Sequence, residues 1–228
     1  MNASDIMTIR VITAGPEAPI NELVSLMLTN RISAVPIVQD GALLGIVSEG
    51  DLIRRAETAT EPKRSRWLEI ATSISTLAHD YAKSHGRRAS EIMTTDVISV
   101  TPDTSIADIA TMLEKHHIKR VPVVEQGKLV GIVSRANLLQ ALASRLTTSE
   151  SDRSDDRTIR AKLFAELEKQ KWAAMPNDAN VVIENGIVHL WGIIQSEEER
   201  KAMIVAAENT PGVKQVVDHM GYRVYTGL

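Results

Sequence analysis

Residues 45–51 read Gly-Ile-Val-Ser-Glu-Gly-Asp, and residues 131–137 return as Gly-Ile-Val-Ser-Arg-Ala-Asn. A serine followed three residues later by a carboxylate, where a strand turns into a helix, suits a particular chemistry. Asp51 can accept hydrogen bonds from both hydroxyls of a ribose, a two-point contact that selects a cis-diol. Ser48 can offer its hydroxyl to a phosphate, where free backbone N–H groups and the helix dipole already favour an anion. Gly45 lets backbone approach a ligand closely. The same spacing also fits an ordinary capping box, with Ser48 as N-cap and Asp51 reaching back from the third helical position. On the heptad alone both readings stay open. In the second copy Ser134 is kept, while Asn137 can cap, donate and accept but lacks the charge for the strongest diol contact.

The elements that must position these residues are themselves duplicated. An offset of 86 residues, without a gap, gives 18 identities over residues 6–55, among them Ile6–Met7–Thr8 on Ile92–Met93–Thr94 and Val35–Pro36 on Val121–Pro122. Such agreement at one offset marks a paired unit. Each copy has a short extended segment, "VIT" or "VISV", then a turn at Pro16 or Pro102. A helix follows, with Ile20, Leu23, Val24, Met27 and Leu28, or Ile106, Ile109, Ala110, Met112 and Leu113, spaced for one buried face. Two strands form a hairpin across Gly41 or Gly127, and a helix closes the unit. The expected order is strand–helix–strand–strand–helix, twice, with the copies packed sheet to sheet about a pseudo-twofold axis.

Composition narrows the function classes. The 228 residues suffice for more than one core, and a net charge of -3 gives no general pull toward nucleic acid or anionic lipid. The absence of cysteine excludes disulfides, cysteine-based zinc sites and cysteine catalysis. Asp5 and Arg10 stand where a signal peptide needs an apolar run, so a cytoplasmic location is expected, with the inner face of the membrane as a peripheral alternative. No nucleophile signature of the G-x-S-x-G type is present, and the adjacent His116 and His117 point about 100° apart on a helix, wrong for a shared metal. The expectation is a protein that is not an enzyme, with no catalytic residue, metal or resident cofactor.

Two such units, with Val-Pro-(Ile/Val)-Val, then Gly and Gly-Ile-Val-Ser before a helix, resemble a tandem pair of CBS domains, a Bateman module, over roughly residues 5–146. The resemblance implies two adenine-nucleotide clefts, each borrowing its adenine wall from the opposite unit. One cleft would join Gly45, Ser48 and Asp51 to Thr104 and Ile118; the other would join Ser134, Asn137, Lys119 and Arg120 to Ala18 and Ile32. Lys119 and Arg120 stand where family members can face ligand phosphates; as a solvated strand start they would need no ligand. The implied ligands are AMP, ADP, ATP or S-adenosylmethionine, and the implied assembly is a homodimer through the CBS pair. Asn137 departs from the family's aspartate, so the two clefts are expected to be unequal.

Residues 56–91 connect the units, with Trp67, Ile70, Ala71, Ile74, Leu77, Ala78 and Tyr81 at helical spacing, either docked on the module or forming a dimer contact. "TTSESDRSDDR" at 147–157 is a polar linker. Beyond it come a helix at 158–171, a hairpin across Asn185–Gly186, a helix opened by Ser196 and Glu199, and a last strand after Pro211–Gly212. This order, with "ENGIVHLWG" and "TPGVKQVVDHM", is similar to a BON domain. That resemblance implies docking on a partner protein or on phospholipid. Nine basic and nine acidic side chains over residues 157–225 leave no net charge, which favours a protein partner over lipid. The fold class expected is α+β (α/β-like): two βαββα units, 1–56 and 92–146, a connector at 57–91, and a small αββαβ domain at 158–228. The function expected is ligand sensing, of the kind used in stress responses, that alters how the C-terminal domain is presented. A rival reading is a dimeric adaptor with empty clefts.

Overall fold

The computed structural model describes residues 1–53, 85–146, 156–170, 172 and 180–222. The amphipathic stretch from Trp67 to Tyr81 and most of the linker lie outside them. The chain divides into two compact units, one of Met1–Arg10, Val100–Val123 and Gly131–Leu228, the other of Val11–Ser99 and Val124–Val130. The first repeat supplies α1 (Ala3–Ile6), α2 (Ile20–Asn30), β1 (Ala34–Gln39), β2 (Ala42–Ser48) and α3 (Glu49–Ile53). The second supplies α4 (Ala89–Ile92), α5 (Ile106–Lys115), β3 (Arg120–Glu125), β4 (Lys128–Ser134) and α6 (Arg135–Leu146). The C-terminal part forms α7 (Asp156–Glu168), β5 (Asn180–Glu184), β6 (Ile187–Ile194), α8 (Glu197–Glu208) and β7 (Gln215–Tyr222).

In the unit containing α2, the hairpin β1–β2 turns on Asp40 and Gly41, with φ of 52° and 84°. Two successive positive φ values match the right-handed twist of the strands. Leu23 and Met27 of α2 pack on Val35, Ile37 and Val47 of this hairpin, with Ala89 and Ile92 of α4 completing the core. The buried stripe is narrower than the sequence suggests: Val24 is 36% exposed and Leu28 74%. They lie about 100° round the helix from Leu23 and Met27, past the edge of the sheet they were expected to cover. In α5 likewise Ile109 and Leu113 are buried while Ala110 is exposed. The "VIT" and "VISV" segments make only single parallel bridges, Ala14 with Ile37 and Val100 with Val123. Pro16 and Pro102, two residues on, cannot donate to a longer ladder.

The two Ile-Met-Thr segments are exchanged between the repeats. After α1, Thr8 bridges Ile132 and the Met7 side chain lies on Gly131. After α4, Thr94 bridges Ile46 and Met93 lies on Gly45. Each repeat is therefore completed by the leading segment of the other, whereas the sequence boundaries were drawn contiguously.

The C-terminal sheet runs β5-β6-β7, the first pair antiparallel and the second parallel. Asn185 and Gly186, φ 57° and 78°, make the hairpin turn, and Asp156 accepts both of their N–H groups, at 2.7 and 2.8 Å. The parallel pair needs a crossover, which α8 provides. Side chains on a strand alternate between faces. Ile159, Leu163 and Leu167 of α7 pack with Val181, Ile183, Val188, Leu190, Met203 and Met220 in one core. The alternate positions of β6 and β7 carry His189, Trp191 and His219. His189 Nδ1 lies 3.0 Å from His219 Nε2, and His219 stacks on Trp191 with ring centroids 3.8 Å apart. Burial, and then the neighbouring His219, push the His189 imidazole down to about 4; His219 is also lowered, by burial first.

Candidate functional site

Each Gly-Ile-Val-Ser corner begins as a strand whose glycine is buried under a methionine. A Cβ on Gly45 would stand 2.6 Å from Met93 Sδ and 2.9 Å from the Thr94 carbonyl oxygen. A Cβ on Gly131 would meet Met7 Sδ and Cγ, the latter at 2.8 Å. These glycines are required by close packing; neither is among those with positive φ.

At the end of β2 the Asp51 carboxylate accepts from both the Ser48 N–H, at 2.9 Å, and the Ser48 hydroxyl, at 2.7 Å. At the end of β4 the Asn137 Oδ1 accepts from the Ser134 N–H and hydroxyl, at 2.8 and 2.7 Å, while the Asn137 N–H points back at Ser134 Oγ from 3.4 Å. At both corners the side chain three residues on thus reaches back to the serine N–H, as in a capping box, and ties the serine hydroxyl to its own acid or amide. The corners also close alike: the Glu49 N–H donates to the Ser33 carbonyl at 3.0 Å, and the Arg135 N–H to the Lys119 carbonyl at 3.2 Å. They differ in surroundings. Asp51 is half-buried, whereas Asn137 is 4% exposed and its Nδ2 reaches Thr8 Oγ1 at 3.5 Å.

The remaining expected contacts fall as follows. In the unit of the first corner Ala18 is buried and accepts from the Ala89 N–H, and Ile32 is packed against the core below α2. In the unit of the second corner Thr104 is half-buried; its hydroxyl accepts from the Thr101 N–H at 3.0 Å and its carbonyl from the Ala3 N–H. Ile118 is half-buried after α5, Lys119 is exposed, and Arg120 is half-buried at the start of β3. His116 and His117 are both exposed. Among the described residues no three histidine, aspartate or glutamate side chains are grouped to hold a metal ion, and no helix is long and apolar enough to cross a membrane. Arg88 pairs with Glu17.

The CBS domain model matches residues 3–57 and 89–144, and the BON domain model residues 155–223. The chain is 34% identical over 133 residues to the uncharacterised protein MJ1426 of Methanocaldococcus jannaschii, covering 53% of this chain and 79% of that one. This is a CBS-domain protein with a C-terminal BON domain. Its CBS pair is also 30% identical over 137 residues to the CBS domain-containing protein YhcV of Bacillus subtilis, covering 60% of this chain and 82% of YhcV. Among solved structures it is similar to CBSX2 in complex with AMP, at 26% identity and a TM-score of 0.56, over 64% of this chain and 98% of CBSX2. The α+β class read from the sequence holds.

Sequence reasoning missed three residues that shape the second corner. Met7 covers its glycine, and Arg160 and Asn180 of the BON domain hold the segment that carries Met7. The available signal was the identity of Ile6–Met7–Thr8 with Ile92–Met93–Thr94, which marked the segment as part of the repeat without saying which copy it serves.

Proposed function

We propose that the CBS pair is a non-catalytic sensor of an adenine nucleotide, AMP in the first instance, and that occupancy alters how the BON domain engages a partner protein. The observation that carries the reading is the duplicated Gly-Ile-Val-Ser corner, with an acid or amide three residues on, in a chain similar over its CBS pair to CBSX2 solved with AMP. Gly45, Ser48 and Asp51 take the nucleoside at one corner. Ser134 and Asn137, with Lys119 and Arg120, take a ligand richer in phosphate at the other. The exposed Val24 and Leu28 on α2 support self-association into a homodimer through the CBS pair. The balanced charge of the BON domain supports a protein partner in the cytoplasm over phospholipid at the membrane's inner face.

Thermal unfolding of the full chain with AMP, ADP, ATP and S-adenosylmethionine tests the reading. A ligand at a hundredfold its dissociation constant adds about 2.7 kcal/mol of stability. If none of the four shifts the transition at millimolar concentration, the sensor reading falls. The rival, an adaptor whose clefts stay empty, is favoured by one observation: each serine hydroxyl already donates to the acid or amide three residues on.

A further inference from the structure

The two corners are built alike, but the BON domain grips the segment that covers one of them. Arg160, on α7, is only 5% exposed and spends its guanidinium on three backbone carbonyls. Nε donates to Val181 at 3.0 Å, Nη1 to Ser4 at 2.9 Å and Nη2 to Met7 at 2.8 Å. Burial pulls it down to about 10, opposed by the charge of Asp5, so it stays a cation at neutral pH. Asn180, opening β5, donates from Nδ2 to the Ile6 carbonyl at 3.0 Å and to Gln140 Oε1 on α6 at 2.9 Å. Arg157 adds an ion pair to Asp5 at 2.8 Å. A one-turn helix such as α1 ends with carbonyls that have no partner within it, and a cation is the natural cap there. The BON domain supplies that cap.

The same few residues form the underside of the second corner. Thr8 exchanges both backbone hydrogen bonds with Ile132, at 2.9 and 3.0 Å, the Met7 side chain lies on Gly131, and Thr8 Oγ1 faces Asn137 Nδ2. Met7 therefore has its carbonyl on Arg160 and its thioether on the corner glycine. The equivalent segment at the first corner, α4 with Met93 and Thr94, is held by the Pro16 and Ala18 carbonyls and by Ile46.

We infer that residues 3–8 are a mechanical link that couples the second corner, Gly131–Asn137, to the BON domain through Arg160 and Asn180, leaving the first corner outside this link. The ligand that uses the link rests on the nucleotide reading above; the link itself does not. Coupling free energy is reciprocal, so a disturbance at either end must be felt at the other.

Hydrogen exchange of the full-length protein, read segment by segment, tests the link without ligand. Gly131→Ala pushes Met7 and should raise exchange in residues 156–168 about fivefold, the lower end of ordinary coupling. Gly45→Ala, which pushes Met93, should leave 156–168 as in the parent. If Gly131→Ala does not fold, Arg160→Met reads the link from the other end: exchange should rise in 131–137 and stay unchanged in 45–51. Arg160→Lys, which keeps the charge and some donors, should recover part of the loss. Unchanged exchange in the distant segment, or an equal response at both corners, overturns the inference. An AMP titration separates the two readings. If AMP binds and Arg160→Met leaves exchange in 131–137 unchanged, the link fails while the sensor stands. If AMP does not bind, the sensor fails and the exchange experiment still decides the link.

Discussion

The Gly45–Asp51 and Gly131–Asn137 corners are the same backbone device in two settings. Both use a buried glycine under a methionine and a serine whose N–H and hydroxyl are accepted by the side chain three residues on. The first keeps a carboxylate and a half-buried setting; the second trades it for an amide, burial and contact with Thr8. The carboxylate stands at the half-buried corner and the neutral amide at the buried one, where desolvating a charge would be costly. Duplication preserved the fold of the corner, and its surroundings then set what each copy can offer a ligand.

The largest expected difference between them lies in the glycines. Gly45→Ala should cost about 2–3 kcal/mol, because the new methyl meets the Thr94 carbonyl as well as Met93. Gly131→Ala should cost about 1 kcal/mol, since the groups met belong to the flexible Met7 side chain. Urea denaturation of both variants checks this, and a reversed order would break the comparison.

Acid should act next, on the domain that grips the second corner. His189 titrates near 4 when folded and near 6.5 when unfolded, so the unfolded chain binds the extra proton between those values. Stability is complete above about pH 6.5 and declines as pH falls toward 4, by about 1–2 kcal/mol from this residue. His189→Gln should flatten that stretch of the stability-against-pH profile, and an unchanged slope would remove His189 from the account.

Capping effects come third. Asp51→Ala and Asn137→Ala should each lose about 1 kcal/mol, the ordinary worth of a helix cap. The smallest effect on stability, within about 0.5 kcal/mol, belongs to Asp51→Asn, which keeps the acceptor for Ser48. Calorimetry should nevertheless find AMP binding at that corner weakened about tenfold, the loss of roughly 1.4 kcal/mol expected for a charged diol contact. If affinity is unchanged, Asp51 serves the helix alone.

Much of the molecule was legible in local patterns. Asn185–Gly186 forces its own turn, Ser196 caps α8 through the Glu199 N–H, and the period of Ile159, Leu163 and Leu167 marks the buried face of α7. The repeat announced itself by identity, and the Ser-x-x-Asp and Ser-x-x-Asn spacing contained both the capping bonds now seen and the ligand chemistry proposed. These features depend on residues within a few positions of each other, so the sequence alone determined them. The exposure of Val24 and Leu28 was not legible, because a helix pattern fixes a direction but not the width of the sheet beneath it. Nor was the exchange of Met7 and Met93 between repeats, or the use of Arg160 and Asn180 to cap α1 from more than 150 residues away. Backbone carbonyls are the same at every position and carry no sequence signal, so only the tertiary structure could decide which side chain would satisfy them.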